Sequence, residues 1–224
     1  MTGLISNFLI HGKIIVQDLW RGGVTWDEPI PQEIYAHWKR WVNQIPALQN
    51  VQVPRCYFSS YNVEDLETLE LHVFVDASES AYACVAYFRI IEQGKPRCAF
   101  VCSKAKVAPL KPLSIPRLEL QAGVIGSRMA SSIKDNHSLS IKRTVYHSDS
   151  STLLSWIRSD TRKYRQYVAV RVGEILENTK VSEWRWVPTK LNVADEATKW
   201  TNRPAMDPNS KWFKGPEFLC CQKT

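Results

Sequence analysis

The sequence predicts an α/β fold: a five-stranded mixed sheet flanked by helices, with a short, mainly helical extension at the N terminus. Three observations predict it. Apolar residues alternate with period two from Leu69 onward. Beyond residue 110, apolar stripes with helical spacing interleave with further extended runs. The stretch before residue 66 carries helical stripes instead of alternating ones.

In chain order, Ile15, Val16, Leu19 and Trp20 suggest a short amphipathic helix around residues 12–20, stopped by Gly22-Gly23. A second helix follows Pro31, with Ile34, Trp38, Trp41 and Ile45 on one stripe and Pro46 as its end. So many aromatic residues invite a base-stacking reading, but their helical spacing favours packing against a core or neighbour. Exposed Trp20, Trp38 and Trp41 would be the mark of a missing partner. Residues 51–58 read as a strand or an extended connector.

Leu69, Leu71, Val73 and Val75 then fall on one face of a first strand, and His72, Phe74 and Asp76 on the other. YACVAYFRII and CAFVCSKAKV continue as second and third strands around a turn at Gly94, an antiparallel meander. Ser114-Ile115-Pro116 starts a helix with the core stripe Leu118, Ala122, Ile125, Met129 and Ile133. IKRTVYHSDS is a fourth strand, and Ser150 can cap the helix STLLSWIRSD. A longer helix runs through Tyr164, Val168, Val172 and Ile175, VSEWRWVP is a fifth strand, and Asn192 can cap a last helix through ADEATK.

At 224 residues, with 44% hydrophobic and 23% charged residues, the chain has the composition of an ordinary globular protein. Its excess of 29 Lys and Arg over 22 Asp and Glu favours an anionic partner such as nucleic acid. The six cysteines (Cys56, Cys84, Cys98, Cys102, Cys220, Cys221) form no C-x-x-C pair, and the histidines complete no zinc spacing. Reduced thiols, an intracellular location and no zinc are therefore expected. MTGLISNFLI is too short and lacks the basic start of a signal peptide, and no run approaches a membrane span, so no membrane partner is expected.

Four acids stand where a solvated charge is not the obvious explanation. Asp76 ends the first strand and Asp149 the fourth. If those strands lie parallel and adjacent, both acids meet at the sheet edge where open α/β folds bind ligands. Carboxylates forced together repel unless they share a cation or a proton. Glu119 sits on a helix whose i+4, i+7 and i+11 positions are Gly123, Gly126 and Ala130, a small-residue face that permits close approach to the sheet. Asp195 is the fourth, three residues after the cap Asn192. Each also has an ordinary reading as a turn former, a cap or an exposed helix acid. An all-carboxylate set without His or Cys suits Mg²⁺ or Mn²⁺.

The segments VFVDASESAYACVAYFR, LSIPRLELQAGVIGSRM, HSDSSTLLSWI and WRWVPTKLNVADEATK, in this order, resemble the ribonuclease H domain of Pao/BEL-type retrotransposon polyproteins. IHGKIIVQDLWRGGVTWDEPIP resembles the segment after the polymerase in such polyproteins, and WFKGPEFL the stretch before the integrase. The resemblance implies a polymerase-connection-like helical extension at 1–65, a ribonuclease H-like domain at 66–200 and a linker-like tail at 201–224. It also implies hydrolysis of the RNA strand of RNA–DNA hybrids, with the polymerase and integrase regions of the same polyprotein as further partners. Asp76, Glu119, Asp149 and Asp195 would hold two Mg²⁺ or Mn²⁺ ions roughly 3.5–4 Å apart around the scissile phosphate. Ser78 and Ser150 are candidate contacts to the substrate backbone, although turn formation and capping suit them equally. Lys104, Lys106 and Arg117 belong to a general phosphate-binding surface.

Two departures from the family pattern stand out. The histidine that many ribonucleases H carry before the last aspartate is replaced by the run Val187-Pro188-Thr189-Lys190. His147 would replace it only with unusual geometry. The basic insertion that grips the hybrid in some relatives is also missing. The alternative reading is therefore a non-catalytic nucleic-acid-binding or interaction remnant of a retroelement.

Overall fold

A computed structural model describes residues 3–54, 56–58, 68–92, 94–160, 163–199 and 206–221. The sequence boundaries expected at 65/66 and 200/201 fall outside these residues. Five strands form one mixed sheet: β1 (Glu70–Ala77), β2 (Ala81–Glu92), β3 (Lys95–Val107), β4 (Arg143–Ser148) and β5 (Trp184–Trp186). Their order across the sheet is β3-β2-β1-β4-β5. The first three form the antiparallel meander, and β4 lies parallel to both β1 and β5. A turn with Gly94 at φ 74° joins β2 to β3.

Both faces of the sheet are covered. Leu71, Val73 and Val75 point with Cys84, Ala86, Phe88 and Ile90 into one core. Three helices roof it: α3 (Ile115–Asn136), α4 (Ser151–Arg158) and α5 (Gln166–Asn178). The expected stripe of α3 is buried at Leu118, Ala122, Ile125 and Ile133, with Met129 packed at its margin. Phe74, Ala83, Val85, Tyr87 and Phe100 face a second core on the other side. There they meet Ile10 and Ile14 of helix α1 (Ser6–Arg21) and Trp212, Phe213 and Leu219 from the C-terminal segment. Period two in β1 therefore sorts residues between two interiors, and His72 and Asp76 are buried with the rest.

Several local expectations are corrected. The first helix begins six residues earlier than the 12–20 stripe suggests, because Phe8 and Ile10 belong to its buried face. Val16 and Trp20 instead point outward, 53% and 60% exposed. Helix α2 (Gln32–Val42) stops before Ile45, where a 3₁₀ turn with Pro46 takes over. Trp41 is not an exposed mark of a missing partner: its Nε1 donates to Phe8 O at 3.1 Å and its ring stacks on Phe8. Trp20 and Trp38 remain exposed, beside an apolar groove of about 1080 Å³ between α1 and α2. The described part of 51–58 is connector, not strand, with Val51 and Val53 against the second core. The helix expected after Asn192 is a 3₁₀ turn, Val193–Ala197.

The described part of the C-terminal stretch, 206–221, packs on the sheet. Trp212 is fully buried, and its carbonyl accepts from the Tyr87 hydroxyl at 2.6 Å. Trp212 Nε1 donates to Leu4 O at 3.0 Å, and Arg89 Nε to Leu219 O at 2.7 Å. WFKGPEFL is apolar because it forms half of the cover over one sheet face.

One glycine sets the height of the α3 layer. A Cβ on Gly126 would lie 2.5 Å from Val75 Cγ1, so the helix backbone rests directly on β1, one residue from Asp76. Gly123 instead faces Ile175 and Leu153, so only part of the small-residue face meets the sheet. Gly126→Ala should destabilise the protein by roughly 1–3 kcal/mol in urea unfolding. Helix propensity alone favours Ala by about 1 kcal/mol, so a net loss isolates the clash.

Candidate active site

The parallel pairing of β1 and β4 brings their C-terminal ends together, as the sequence pattern anticipates. Asp76 stands in the last turn of the β1 pleat and Asp149 one residue beyond β4. Glu119, on the first turns of α3, is lowered onto this edge by the close approach at Gly126. One oxygen from each of Asp76, Glu119 and Asp149 lies within 4.8 Å of the others. Asp76 and Glu119 are only 3% and 8% exposed.

Neutral neighbours hold the set in place. Asn192, fully buried, donates through Nδ2 to Asp149 Oδ1 at 3.1 Å and to Val75 O at 3.0 Å, tying β1 to the end of β4. Its Oδ1 accepts from Ala194 N at 3.3 Å and so starts the 193–197 turn. The Thr198 hydroxyl donates to Asp76 Oδ2. Ser78 in turn donates to Thr198 O at 2.6 Å while accepting from the amides of Ser80 and Ala81. Ser150 accepts from Leu153 N at 3.1 Å and caps α4. Both serine hydroxyls thus serve the backbone, Ser150 locally and Ser78 both locally and at Thr198.

Asp195 lies beside the three acids but outside their 4.8 Å set, with Lys199 Nζ 2.5 Å from its Oδ1. The Lys199 charge also acts on Asp76 and Asp149. Arg117 stacks on the Tyr167 ring at 5.1 Å, two residues before Glu119. Lys104 and Lys106 line a different cavity, between β3 and α3, together with Arg128 and Asn136. His147 faces away into the second core: it stacks on Phe74 at 4.4 Å and shares a 3.0 Å contact with His72 Nδ1. Burial, then His72 and two arginines, pushes its pKa well below the usual value, so it does not take the place of the missing histidine.

The electrostatics are those of carboxyls crowded together in a largely buried site. Burial pushes Glu119 up to about 9, reinforced by the charges of Asp76 and Asp149. Burial likewise pushes Asp76 up to about 7; the Thr198 hydrogen bond opposes this, Asp149 and Asp195 add to it, and Lys199 opposes it again. Glu119 Oε2 is buried with no hydrogen-bond partner. Three hard oxygen donors, one of them an orphan, fit a divalent cation of the Mg²⁺ or Mn²⁺ kind. Thr198, Lys199, the bridging role of Asn192 and the neighbouring Trp186 were not singled out from the sequence. Their only signal was their place in the segment WRWVPTKLNVADEATK.

Residues 1–150 match the model of the Pao retrotransposon-like RNaseH-like domain, a span that includes Asp76, Glu119 and Asp149. The chain belongs to that family. No curated protein is matched. Among solved structures, the chain is similar to the N-terminal RNase H domain of a Mycobacterium tuberculosis protein: 9% identity, 58% of this chain, 93% of that one, TM-score 0.36. It is also similar to RNase H1 of Halobacterium salinarum (12% identity, 58% and 96% coverage, TM-score 0.35). A third is LC11-RNase H1 (12% identity, 58% and 92% coverage, TM-score 0.30). Among the described residues, no helix is long and apolar enough to cross a membrane.

The raised carboxyls fix the sign of the pH dependence. A group protonated in the folded state to a higher pH than in the unfolded chain stabilises fully below its unfolded pKa. That contribution is lost as pH rises through the folded value. Without metal, stability should therefore fall between pH of about 4 and about 9. Asp76→Asn should flatten this slope in thermal or urea unfolding. An unchanged slope would remove Asp76 as its source.

Proposed function

We propose that this chain is a metal-dependent ribonuclease H that hydrolyses the RNA strand of RNA–DNA hybrids as part of a retrotransposon polyprotein. The observation that carries the reading is the convergence of Asp76, Glu119 and Asp149, from three separate elements, within 4.8 Å. Acids placed only for solubility would spread apart; here Asp76 and Glu119 are buried with Asp149 half-buried beside them, which is costly without a counter-ion. Asp76, Glu119 and Asp149 would hold Mg²⁺ or Mn²⁺, with Asp195 completing the donor set once Lys199 releases it.

Bound divalent ions would supply an activated water and stabilise the leaving oxygen. The chain's own residues provide the frame for that chemistry. Asn192 and Thr198 fix the Asp149 and Asp76 carboxylates, so little reorganisation remains when charge develops at the phosphate. Burial of Glu119 keeps its carboxyl protonated around neutral pH until a cation draws the proton off. The net charge of +7 favours approach of a polyanion. Recognition of RNA in one strand would rest on 2′-hydroxyl contacts and groove shape, to which Ser78 and Ser150 would contribute little beyond their backbone roles. The proposed catalytic unit is 66–200, with the polymerase and integrase regions of the polyprotein as partners of the flanking segments.

The test is cleavage of a labelled RNA–DNA hybrid with Mg²⁺ or Mn²⁺, beside RNA and DNA duplexes. Hybrid alone should be cut, and Asp149→Asn should lower the rate by about 10²–10³-fold or more, the scale of losing an electrostatic element of a site. A folded protein that binds hybrid but cuts nothing would replace this reading with the binding remnant.

A further inference from the structure

Trp186 breaks the burial pattern of its own strand. Two residues earlier on β5, Trp184 is fully buried, stacks on Tyr146 at 4.8 Å and donates Nε1 to Thr179 Oγ1 at 2.9 Å. Alternation puts Trp186 on the same face, yet it is 58% exposed. It is nevertheless anchored: its Nε1 donates to Asp149 O at 3.2 Å. Register pairs Trp186 with Ser148, so the indole stands at the end of β4, immediately beside Asp149.

The anchor decides what the ring can offer. With its only hydrogen-bond donor directed to a main-chain carbonyl, the indole presents an uncharged aromatic surface to solvent at the edge of the carboxylate cluster. A phosphate gains nothing from such a surface. The sugar edge or the base face of a nucleotide gains contact area whatever its sequence. We propose that Trp186 is a substrate-contacting residue, a wall against which a sugar–base unit lies beside the carboxylates. This rests on the hybrid-nuclease reading and adds to it a contact that no acidic residue provides.

The test uses the full chain with a fluorescently labelled hybrid, followed by anisotropy in EDTA so that neither metal nor cutting enters the readout. The wild-type protein is measured first. Failure to bind hybrid there overturns the nuclease reading and this proposal together, before any variant is considered. With wild-type binding in hand, Trp186→Ala should weaken the Kd by about tenfold, within the range of a lost stacking contact. Trp186→Phe keeps a ring face without the N–H and should stay within about threefold of wild type, as expected where a π-face carries the contact. Trp186→Leu keeps apolar bulk without the ring and should behave like the Ala variant; it serves if Ala fails to fold, and thermal unfolding reports folding for all three. Unchanged hybrid affinity in folded Ala or Leu variants overturns the proposal, as does an equal loss in the Phe variant.

Discussion

Holding Asp76, Glu119 and Asp149 within 4.8 Å is the constraint around which the fold is arranged. Each pair of full charges at that distance repels by at least about 3–4 kcal/mol at an effective dielectric near 20. The parallel pairing of β1 and β4 sets two of the acids side by side, and the missing side chain at Gly126 brings the third. Asn192 and Thr198 add hydrogen bonds that grip carboxylate oxygens without adding charge. Burial first, and this repulsion after it, favours protons on Asp76 and Glu119, which a divalent cation would displace.

Such a rigid edge needs a stiff sheet beneath it. Here the sheet is stiffened by interiors on both faces. The helical roof of α3, α4 and α5 is the larger, while the opposite face is closed by two segments far apart in sequence, α1 and residues 211–219. The 193–197 turn, which carries Asp195, is itself built into that second interior through Val193, Ala194 and Ala197. The position of the fourth acid therefore depends on packing at the ends of the chain as well as on the strands.

Much of this was legible in the sequence because it follows from periodicity. Alternation at Leu69–Val75 located β1, and the helical stripe from Leu118 to Ile133 located α3. The strand-ending aspartates followed from the strands. What was hidden depends on contacts between distant residues. Asn192 looks like a cap in sequence, and only its 3.0 Å bond to Val75 O shows that it also bridges the sheet to Asp149. Thr198 meets Asp76 across 122 positions, and no local pattern announces that. The apolar tail around Trp212 resembled a linker because its binding surface, Tyr87 and Phe100, belongs to strands that already seemed accounted for.

The hydrogen bond from Trp212 to the carbonyl of Leu4 has a consequence for synthesis. On the ribosome α1 emerges well before residues 211–219, so the cover over Ile10 and Ile14 is incomplete until Trp212 and Leu219 have followed. At about 5–20 residues per second the wait is on the order of ten seconds or more. The meander and its helical roof can form in that interval; the second layer is sealed only when residues 211–219 meet α1.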